Sequence, residues 1–254
     1  MDRVLEVMTE AARAAGEVAL KYYRRGVEVT LKPDRSPVTQ ADREAEQIIV
    51  ELLGREFREF GFLGEELGAQ GSKEIRWVID PIDGTRNFVR GIPIWAVLIA
   101  LEERREIAAG VLLNPVTGEL YTARKGHGAF LGGERLRVSE IGALDKATLI
   151  HASLGFLRSS AHWDGFVRLV DATERQRGFG DYLCYTVVAE GKADIVLETD
   201  VKPWDLAPGK LLMEEAGGRF SDFDGLPSIY SGNALASNGR LHDAALALIR
   251  GRRA

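Results

Sequence analysis

The chain has 254 residues, of which 45% are hydrophobic and 28% are charged, a composition typical of globular proteins and not of disordered or fibrous ones. Its net charge of −5 offers no basic surface for nucleic acid or an anionic membrane. The single cysteine, Cys184, excludes an internal disulfide and a thiolate metal cluster. Acidic residues interrupt the first apolar stretch, so we expect a cytoplasmic protein with neither nucleic-acid nor membrane partners.

The first 60 residues have the apolar spacing of two amphipathic helices. Apolar side chains recur every three or four positions over residues 3–25, which predicts the first helix. The second helix is predicted over residues 39–60, where Thr39 and Asp42 have the spacing of a capping box. On this pattern alone, capping is the simplest interpretation of Asp42.

The rest of the first half consists of short β segments joined by turns. Residues 61–68 are punctuated by glycines and carry Glu65 and Glu66, which suits an exposed acidic turn. Glu66 is best interpreted as a surface charge, with an auxiliary role beside Glu65 as the alternative. Strands are predicted at 27–32, from 76, and at 94–102, 107–114, 119–123, 128–131 and 135–138, with a loop at 33–37. Because turns of a few residues join most of these strands, the sheet should be largely antiparallel.

Beyond residue 145 the pattern changes to strands that alternate with helices. Strands are predicted at 147–152 and 193–197, and helices at 161–172, 182–190, 204–216 and 241–250. This alternation is typical of α/β structure. We therefore predict an N-terminal α+β half, residues 1–145, and a C-terminal α/β half, residues 146–254.

Two aspartates, Asp80 and Asp83, follow the apolar strand that begins at residue 76. Their spacing across a turn lets both carboxylates point toward one place. Close like charges in a partly dry site require a cation between them. Either a basic side chain, such as Arg86 or Arg90, or a divalent metal would supply that charge.

Backbone groups next to these aspartates suit phosphate chemistry. Pro81 removes a backbone donor and leaves the Ile82 carbonyl able to bind a cation. Gly84 and Thr85 begin a predicted helix, whose first N–H groups can bind an anion. Carboxylates for metal beside amides for phosphate are the components of metal-assisted phosphoryl hydrolysis. A short motif of this kind also occurs where aspartates merely cap a helix, so the motif alone does not establish a metal site.

Four segments in sequence order resemble the motifs of the inositol monophosphatase family. They are Lys32 with Thr39-Gln40-Ala41-Asp42, Gly64-Glu65-Glu66, Asp80-Pro81-Ile82-Asp83-Gly84-Thr85, and Trp204-Asp205-Leu206-Ala207 followed by Glu215-Ala216-Gly217-Gly218. Pro208 departs from the small residue usual in the family, but the first turn of a helix tolerates proline. The resemblance implies a layered αβαβα sandwich of the inositol monophosphatase and fructose-1,6-bisphosphatase type, with its active site between the two halves.

The resemblance also implies a site for two or three Mg²⁺ ions. The metal ligands would be Glu65, Asp80, the Ile82 carbonyl, Asp83 and Asp205. Phosphate would be bound by Asp83, Gly84 and Thr85. The catalytic residues would be Asp42, Thr85 and Glu65, with Thr85 and Asp42 orienting the attacking water. So many converging carboxylates require a divalent metal, which excludes Arg86 or Arg90 as the sole counter-charge.

Three segments are similar to the histidinol-phosphatase branch of this family. They are Phe88–Ala96, Arg177–Tyr182 and Val188–Asp194. Inositol-preferring members usually have a small residue at the position of Asp181, whereas an acid there can pair with the ammonium or imidazole of histidinol. Asp181 has an alternative role as the cap of the helix predicted at 182–190. The substrate-binding residues would be Asp181, Glu198, Asp205 and Arg177, although Glu198 would also suit the hydroxyls of an inositol ring.

The sequence therefore predicts a Mg²⁺-dependent phosphomonoesterase that converts L-histidinol phosphate to L-histidinol and phosphate. The first alternative is an inositol-1-phosphate phosphatase, or a broad sugar-phosphate phosphatase that accepts fructose 1,6-bisphosphate. The second is a non-catalytic binding protein on the same scaffold, which the joint presence of the carboxylates and Thr85 argues against. The resemblance also implies a homodimer.

Overall fold

The computed structural model describes residues 3–26, 29–32 and 37–251. The α-helices within these ranges are α1 (Arg3–Tyr22), α2 (Gln40–Glu56), α3 (Thr85–Val89), α4 (Leu154–Ser159), α5 (Trp163–Ala172), α6 (Leu183–Ala189), α7 (Pro203–Glu215) and α8 (His242–Ile249). A short 3₁₀ helix spans Leu144–Lys146. None of these described helices is long and apolar enough to cross a membrane.

Strands of the first half form a two-stranded ribbon and one large sheet. They are β1 (Thr30–Leu31), β2 (Pro37–Val38), β3 (Gly61–Gly64), β4 (Gly68–Gln70), β5 (Ile75–Asp83), β6 (Ala96–Glu103), β7 (Glu106–Leu113), β8 (Leu120–Arg124), β9 (Gly128–Leu131) and β10 (Glu134–Arg135). β1 pairs with β2, and the large sheet has the order β10-β9-β8-β7-β6-β5-β3-β4. All its neighbours are antiparallel except β3 and β5, which are parallel.

The second half contains a five-stranded sheet. Its strands are β11 (Thr148–His151), β12 (Arg175–Gly178), β13 (Ile195–Thr199), β14 (Arg219–Ser221) and β15 (Asn233–Ser237). The order is β12-β11-β13-β15-β14. β11 is parallel to both β12 and β13, whereas β15 is antiparallel to β13 and β14.

Three apolar clusters stack these elements into five layers. Alternate residues of β5 face opposite sides of the large sheet, so Trp77 packs toward α1 and α2 while Val78 packs toward α6 and α7. Those two helices fill the space between the sheets, where Tyr185 of α6 and Leu212 of α7 are buried. The outer face of the second sheet packs against α5 and α8. The predicted αβαβα sandwich is confirmed.

A buried ion pair lies at the opposite end of β5 from its aspartates. Arg76 Nε donates to Glu102 Oε2 over 2.6 Å, and Arg76 Nη2 donates to the Tyr230 hydroxyl over 2.9 Å. The Tyr230 hydroxyl in turn donates to Glu102. Since Tyr230 precedes β15, this network links the large sheet to the loop that enters the second sheet.

Several boundaries differ from those predicted. Helix α2 ends at Glu56, because Phe57 and Phe60 pack against Trp77 instead of extending the helix. Residues 61–68 are not only a turn: Gly61–Gly64 forms β3, which pairs with β5. Of the strand predicted at 27–32, residues 27 and 28 lie outside the described residues, as do residues 33–36 of the predicted loop. The elements absent from the prediction are α4, β2, β3, β4, β12, β14 and β15.

Candidate active site

A bulge in β5 brings Asp80 and Asp83 to the same side. Residues three apart on a regular strand face opposite sides of the sheet. Here Asp80 pairs with Leu98 and Asp83 with Ala96, so β5 has one residue more than β6 in this interval. The extra residue restores the two aspartates to one face. Carboxylate oxygens of Asp80, Asp83 and Asp205, the last in the first turn of α7, all lie within 4.8 Å of one another.

These three carboxyls resist ionisation in the absence of a cation. Burial, followed by repulsion from Glu65, raises the pKa of Asp80 well above its usual range. Burial, followed by repulsion from Asp181, does the same to the pKa of Asp83. The pKa of Asp205 is raised to about 7, mainly by burial, although the Lys202 N–H donates to it and opposes the change. A buried set of oxygen donors with unbalanced negative charge fits a hard divalent cation.

Glu65 lies beside this cluster and forms an ion pair with Lys32. Lys32 Nζ is 2.7 Å from Glu65 Oε1 and also donates to Glu66. Burial alone would lower the pKa of Lys32, but these two hydrogen bonds raise it above its usual value. The side chain of Glu66 is 7% exposed, so the prediction of a surface charge was wrong. Lys32, which the sequence left without a role, is the cation that the structure places against Glu65.

Asp42 both caps α2 and contacts the phosphate motif. Its Oδ2 atom accepts hydrogen bonds from the Thr39 N–H over 2.7 Å and from the Thr39 hydroxyl over 2.6 Å. The Thr85 hydroxyl lies 3.2 Å from Asp42 Oδ1 and 3.0 Å from the Ile82 carbonyl oxygen. Asp42 is fully buried, which raises its pKa, with the hydrogen bonds of Thr39 acting in the opposite direction. The capping role and the contact with Thr85 therefore coexist.

Gly84 is required by the turn that follows Asp83. Its φ of 87° is in the left-handed region, and an added Cβ atom would lie 2.9 Å from the Ile94 carbonyl oxygen. Helix α3 begins at the next residue, Thr85. The first N–H groups of a helix lack intrahelical acceptors, so this turn presents amide hydrogens beside the carboxylates.

An open cleft of about 830 Å³ runs across these groups and contains residues from both halves of the chain. Asp181 lines this cleft, and its backbone has a left-handed φ of 53°. Its Oδ2 atom accepts a hydrogen bond from Asn87 Nδ2 over 2.7 Å. Burial raises the pKa of Asp181 to about 6. Helix α6 begins at Leu183 without a side-chain cap, so the capping role proposed for Asp181 was wrong. The Tyr182 N–H instead donates to Asp83.

Of the remaining predicted substrate residues, one lines the cleft and one does not. Glu198 of β13 is 3% exposed and lines the cleft, and it accepts a hydrogen bond from the Tyr185 hydroxyl. Its pKa is raised to about 8, mainly by burial. Arg177 is exposed on β12, outside the cleft lining, and its Nη1 atom donates to the Gln176 carbonyl over 2.7 Å. The structure therefore gives Arg177 no contact with the site.

Two polar residues near the site were not identified from the sequence. Glu46 of α2 is fully buried and accepts hydrogen bonds from the N–H groups of Glu66, over 2.8 Å, and Leu67, over 3.0 Å. It thereby fixes the loop that carries Glu65. The four-residue spacing of Glu46 from Asp42, which places both on one helix face, was the available signal. Asn87 had no such signal in the sequence. Its amide donates to the backbone carbonyl of Ile94 and to the distant carboxylate of Asp181, and no sequence spacing reveals either contact.

The five-layer sandwich carries a buried carboxylate cluster beside the turn at Gly84 and Thr85, which presents backbone N–H groups. Together with the family match, this arrangement identifies a phosphoric monoester hydrolase. A sequence model of the inositol monophosphatase family matches residues 1–253. The chain belongs to the inositol monophosphatase family.

Named relatives and a solved structure agree with this assignment. The chain is 40% identical over 259 residues to a histidinol-phosphatase of Streptomyces coelicolor, covering 98% of this chain and 97% of that protein. It is 38% identical over 257 residues to an inositol-1-monophosphatase of Mesorhizobium japonicum, covering 97% and 96% respectively. The crystal structure of the extragenic suppressor protein suhB from Bartonella henselae superposes with a TM-score of 0.91 at 34% identity, covering 98% of this chain and 99% of that one.

Proposed function

We propose that this protein is a Mg²⁺-dependent phosphomonoesterase whose substrate is L-histidinol phosphate, which it hydrolyses to L-histidinol and phosphate. The observation that carries the proposal is the half-buried Asp181 carboxylate in the wall of the cleft, next to the turn at Gly84 and Thr85. Such an acid suits a leaving group that carries a cation. The names of relatives at about 40% identity support the same substrate.

The donor set of the site suits Mg²⁺. The groups that would hold two or three ions are the carboxylates of Glu65, Asp80, Asp83 and Asp205 and the carbonyl of Ile82. When bound, Mg²⁺ lowers the pKa of a coordinated water and stabilises the leaving alkoxide. Lys32 contacts only the Oε1 atom of Glu65, which leaves Oε2 as the oxygen of that carboxylate that would bind a metal.

Thr85 and Asp42 orient the attacking water. When the Thr85 hydroxyl donates to Asp42 Oδ1, its oxygen keeps lone pairs that can accept a hydrogen bond from a water in the cleft. That hydrogen bond directs a lone pair of the water oxygen toward phosphorus. Asp42, whose pKa is raised by burial, takes the Thr85 hydroxyl proton as Thr85 takes one from the water, so the carboxylate becomes neutral.

The phosphate group binds at the turn formed by Asp83, Gly84 and Thr85. N–H groups of Gly84 and Thr85 donate to its oxygens at the first turn of α3. The absence of a Cβ atom at Gly84 lets the phosphate approach the backbone closely.

The leaving group lies toward Asp181, Glu198 and Asp205. The pKa of Asp181 is raised to about 6 and that of Glu198 to about 8, in both cases mainly by burial. An ammonium group in the cleft would pair with either carboxylate and so favour its ionised form. Inositol 1-phosphate is the second candidate, because Glu198 suits ring hydroxyls and one relative is named for that activity.

Phosphate release from three esters tests the proposal. With Mg²⁺, histidinol phosphate should have a higher kcat/KM than inositol 1-phosphate and fructose 1,6-bisphosphate, and EDTA should abolish release. Asp181→Asn keeps the shape of the side chain and removes its charge, so kcat/KM on histidinol phosphate should fall roughly 10- to 100-fold, the value of a charged hydrogen bond. Inositol 1-phosphate should be far less affected.

The exposed neighbour Arg175 provides the control, since Arg175→Ala should leave all three rates unchanged. Equal losses of Asp181→Asn on all esters would exclude Asp181 from substrate selection. Absence of release from every ester would favour a binding protein. We also propose a homodimer, on the resemblance to the family, and light scattering on the purified protein measures it.

A further inference from the structure

Two exposed phenylalanines line the cleft beside its carboxylates. Phe156 is 48% exposed and Phe179 is 42% exposed, and both border the same cleft as the carboxylates. A single exposed apolar side chain is ordinary on a protein surface. Two aromatic rings at one charged cleft are different, because they keep apolar surface in water where a substrate enters.

Local structure places both residues at the cleft. In α4 the neighbouring Leu157 is 1% exposed and packs into the core beneath the second sheet, which anchors the helix that carries Phe156. Phe179 lies between Gly178 and Gly180. A Cβ atom at Gly178 would be 2.9 Å from His151 Cε1, so this side of the loop packs closely on the imidazole.

Asp181 follows on the same loop and is oriented by Asn87. The Asn87 amide uses both hydrogens: Nδ2 donates to the Ile94 carbonyl over 2.9 Å and to Asp181 Oδ2 over 2.7 Å. The second contact fixes a carboxylate whose backbone already has a left-handed φ of 53°. It leaves the Oδ1 oxygen of Asp181 as the acceptor for a ligand.

We propose that Phe156, Phe179 and the Asn87-oriented Asp181 form a subsite for a leaving group that carries both a planar ring and a cationic amine. The ring packs against the phenylalanines and the amine pairs with Asp181 Oδ1. This subsite rests on the proposed function and adds to it the residues that select the ring. A polyhydroxylated ring gains little there, because apolar surface leaves its hydroxyls without partners.

Four phosphate esters separate the two parts of the subsite. Histidinol phosphate has amine and ring, 2-aminoethyl phosphate has the amine, 2-phenylethyl phosphate has the ring, and glycerol phosphate has neither. Each is assayed as phosphate release with Mg²⁺ on the wild type and on Phe156→Ala, Phe179→Ala and Asn87→Ala. Leu154→Ala is the matched control, since Leu154 is 50% exposed on α4 and lies outside the cleft lining.

We expect Phe179→Ala to lower kcat/KM about tenfold on the two ring-bearing esters, the scale of one lost aromatic contact, and to leave the other two within about twofold. Phe156→Ala should have the same pattern. Asn87→Ala should instead raise KM for the two amine-bearing esters, with kcat little changed, because it disorders the acceptor and not the reacting groups.

Equal losses on all four esters would overturn the subsite, since they would mean general damage to the site. Unchanged selectivity in both phenylalanine variants would also overturn it, and a simultaneous change in oligomeric state would assign the rings to a subunit contact. Thermal unfolding identifies a variant that fails to fold, in which case Phe179→Leu, which keeps apolar volume without the ring, replaces it. The preference of the wild type among the esters tests the proposed function. The losses of the phenylalanine variants on 2-phenylethyl phosphate test the subsite, and they can be measured whether or not histidinol phosphate is the preferred substrate.

Discussion

Replacing Glu198 with glutamine should remove a large pH dependence from the stability of the metal-free protein. Glu198 is 3% exposed, and its pKa is raised from 4.5 to about 8. Burial is the main cause, the Asp181 and Asp205 carboxylates add to it, and the Tyr185 hydroxyl opposes it. The folded protein therefore holds this proton far more tightly than the unfolded chain does.

The sign and size of the effect follow from linkage. Stability from the protonated Glu198 is fully present below pH 4.5 and is lost as the pH rises toward about 8. Each pH unit inside this window corresponds to about 1.4 kcal/mol. Between about pH 5.5 and about pH 7.5 the wild type should therefore lose roughly 3 kcal/mol of unfolding free energy relative to Glu198→Gln, which does not titrate.

Urea unfolding of EDTA-treated protein at these two pH values measures the difference. Glutamine still accepts a hydrogen bond from the Tyr185 hydroxyl, so the variant preserves that contact. Glu134→Gln on the exposed edge strand β10 controls for the substitution and should follow the wild type. Equal pH slopes for the wild type and Glu198→Gln would refute the reasoning, since Glu198 would then ionise in the folded state as it does in the unfolded one.

Three further predictions concern metal binding, the buried Tyr230 network and the turn at Gly84. Mg²⁺ at about 100 times its Kd should stabilise the wild type by about 2.7 kcal/mol, or roughly 5–10 °C in Tm by calorimetry, and Asp83→Asn should lose most of this shift. Tyr230→Phe should lower the free energy of urea unfolding by about 1–3 kcal/mol, because Arg76 and Glu102 each lose a buried partner, and an unchanged value would exclude a stabilising network. Gly84→Ala should destabilise by about 1–2 kcal/mol through its positive φ and should also lower kcat, whereas wild-type kinetics would show that the turn tolerates a Cβ atom.

The parts of the fold that the sequence predicts are those set by local periodicity. The apolar stripe of α1 and the buried run of β5 are visible without any partner, because each must bury its own face. By contrast, β12 is the polar segment Arg-Gln-Arg-Gly at a sheet edge, and β15 consists mostly of small residues. Both are strands only because β11 and β13 provide hydrogen-bond partners from distant parts of the chain.

The candidate site divides in the same way. Asp80 and Asp83 were identified because the motif is contiguous, and Asp205 because its own motif follows in order. The contact of Lys32 with Glu65 and that of Asn87 with Asp181 join segments far apart in sequence, so no spacing rule reveals them. The cap proposed for Asp181 failed because the helix begins at residue 183, which leaves that carboxylate to turn toward α3.

The bulge in β5 also frees part of the backbone between its two aspartates. β5 advances three residues between Asp80 and Asp83 while β6 advances two, so Pro81 and Ile82 have no pairing partner on β6. The Ile82 carbonyl accepts a hydrogen bond from the Thr85 hydroxyl within this unpaired interval. A deletion that restored regular pairing would leave both aspartates on one face, because residues two apart on a strand point to the same side, but it would remove the unpaired backbone. A substitution at Ile82 keeps that carbonyl in place, whereas a deletion displaces it relative to the carboxylates.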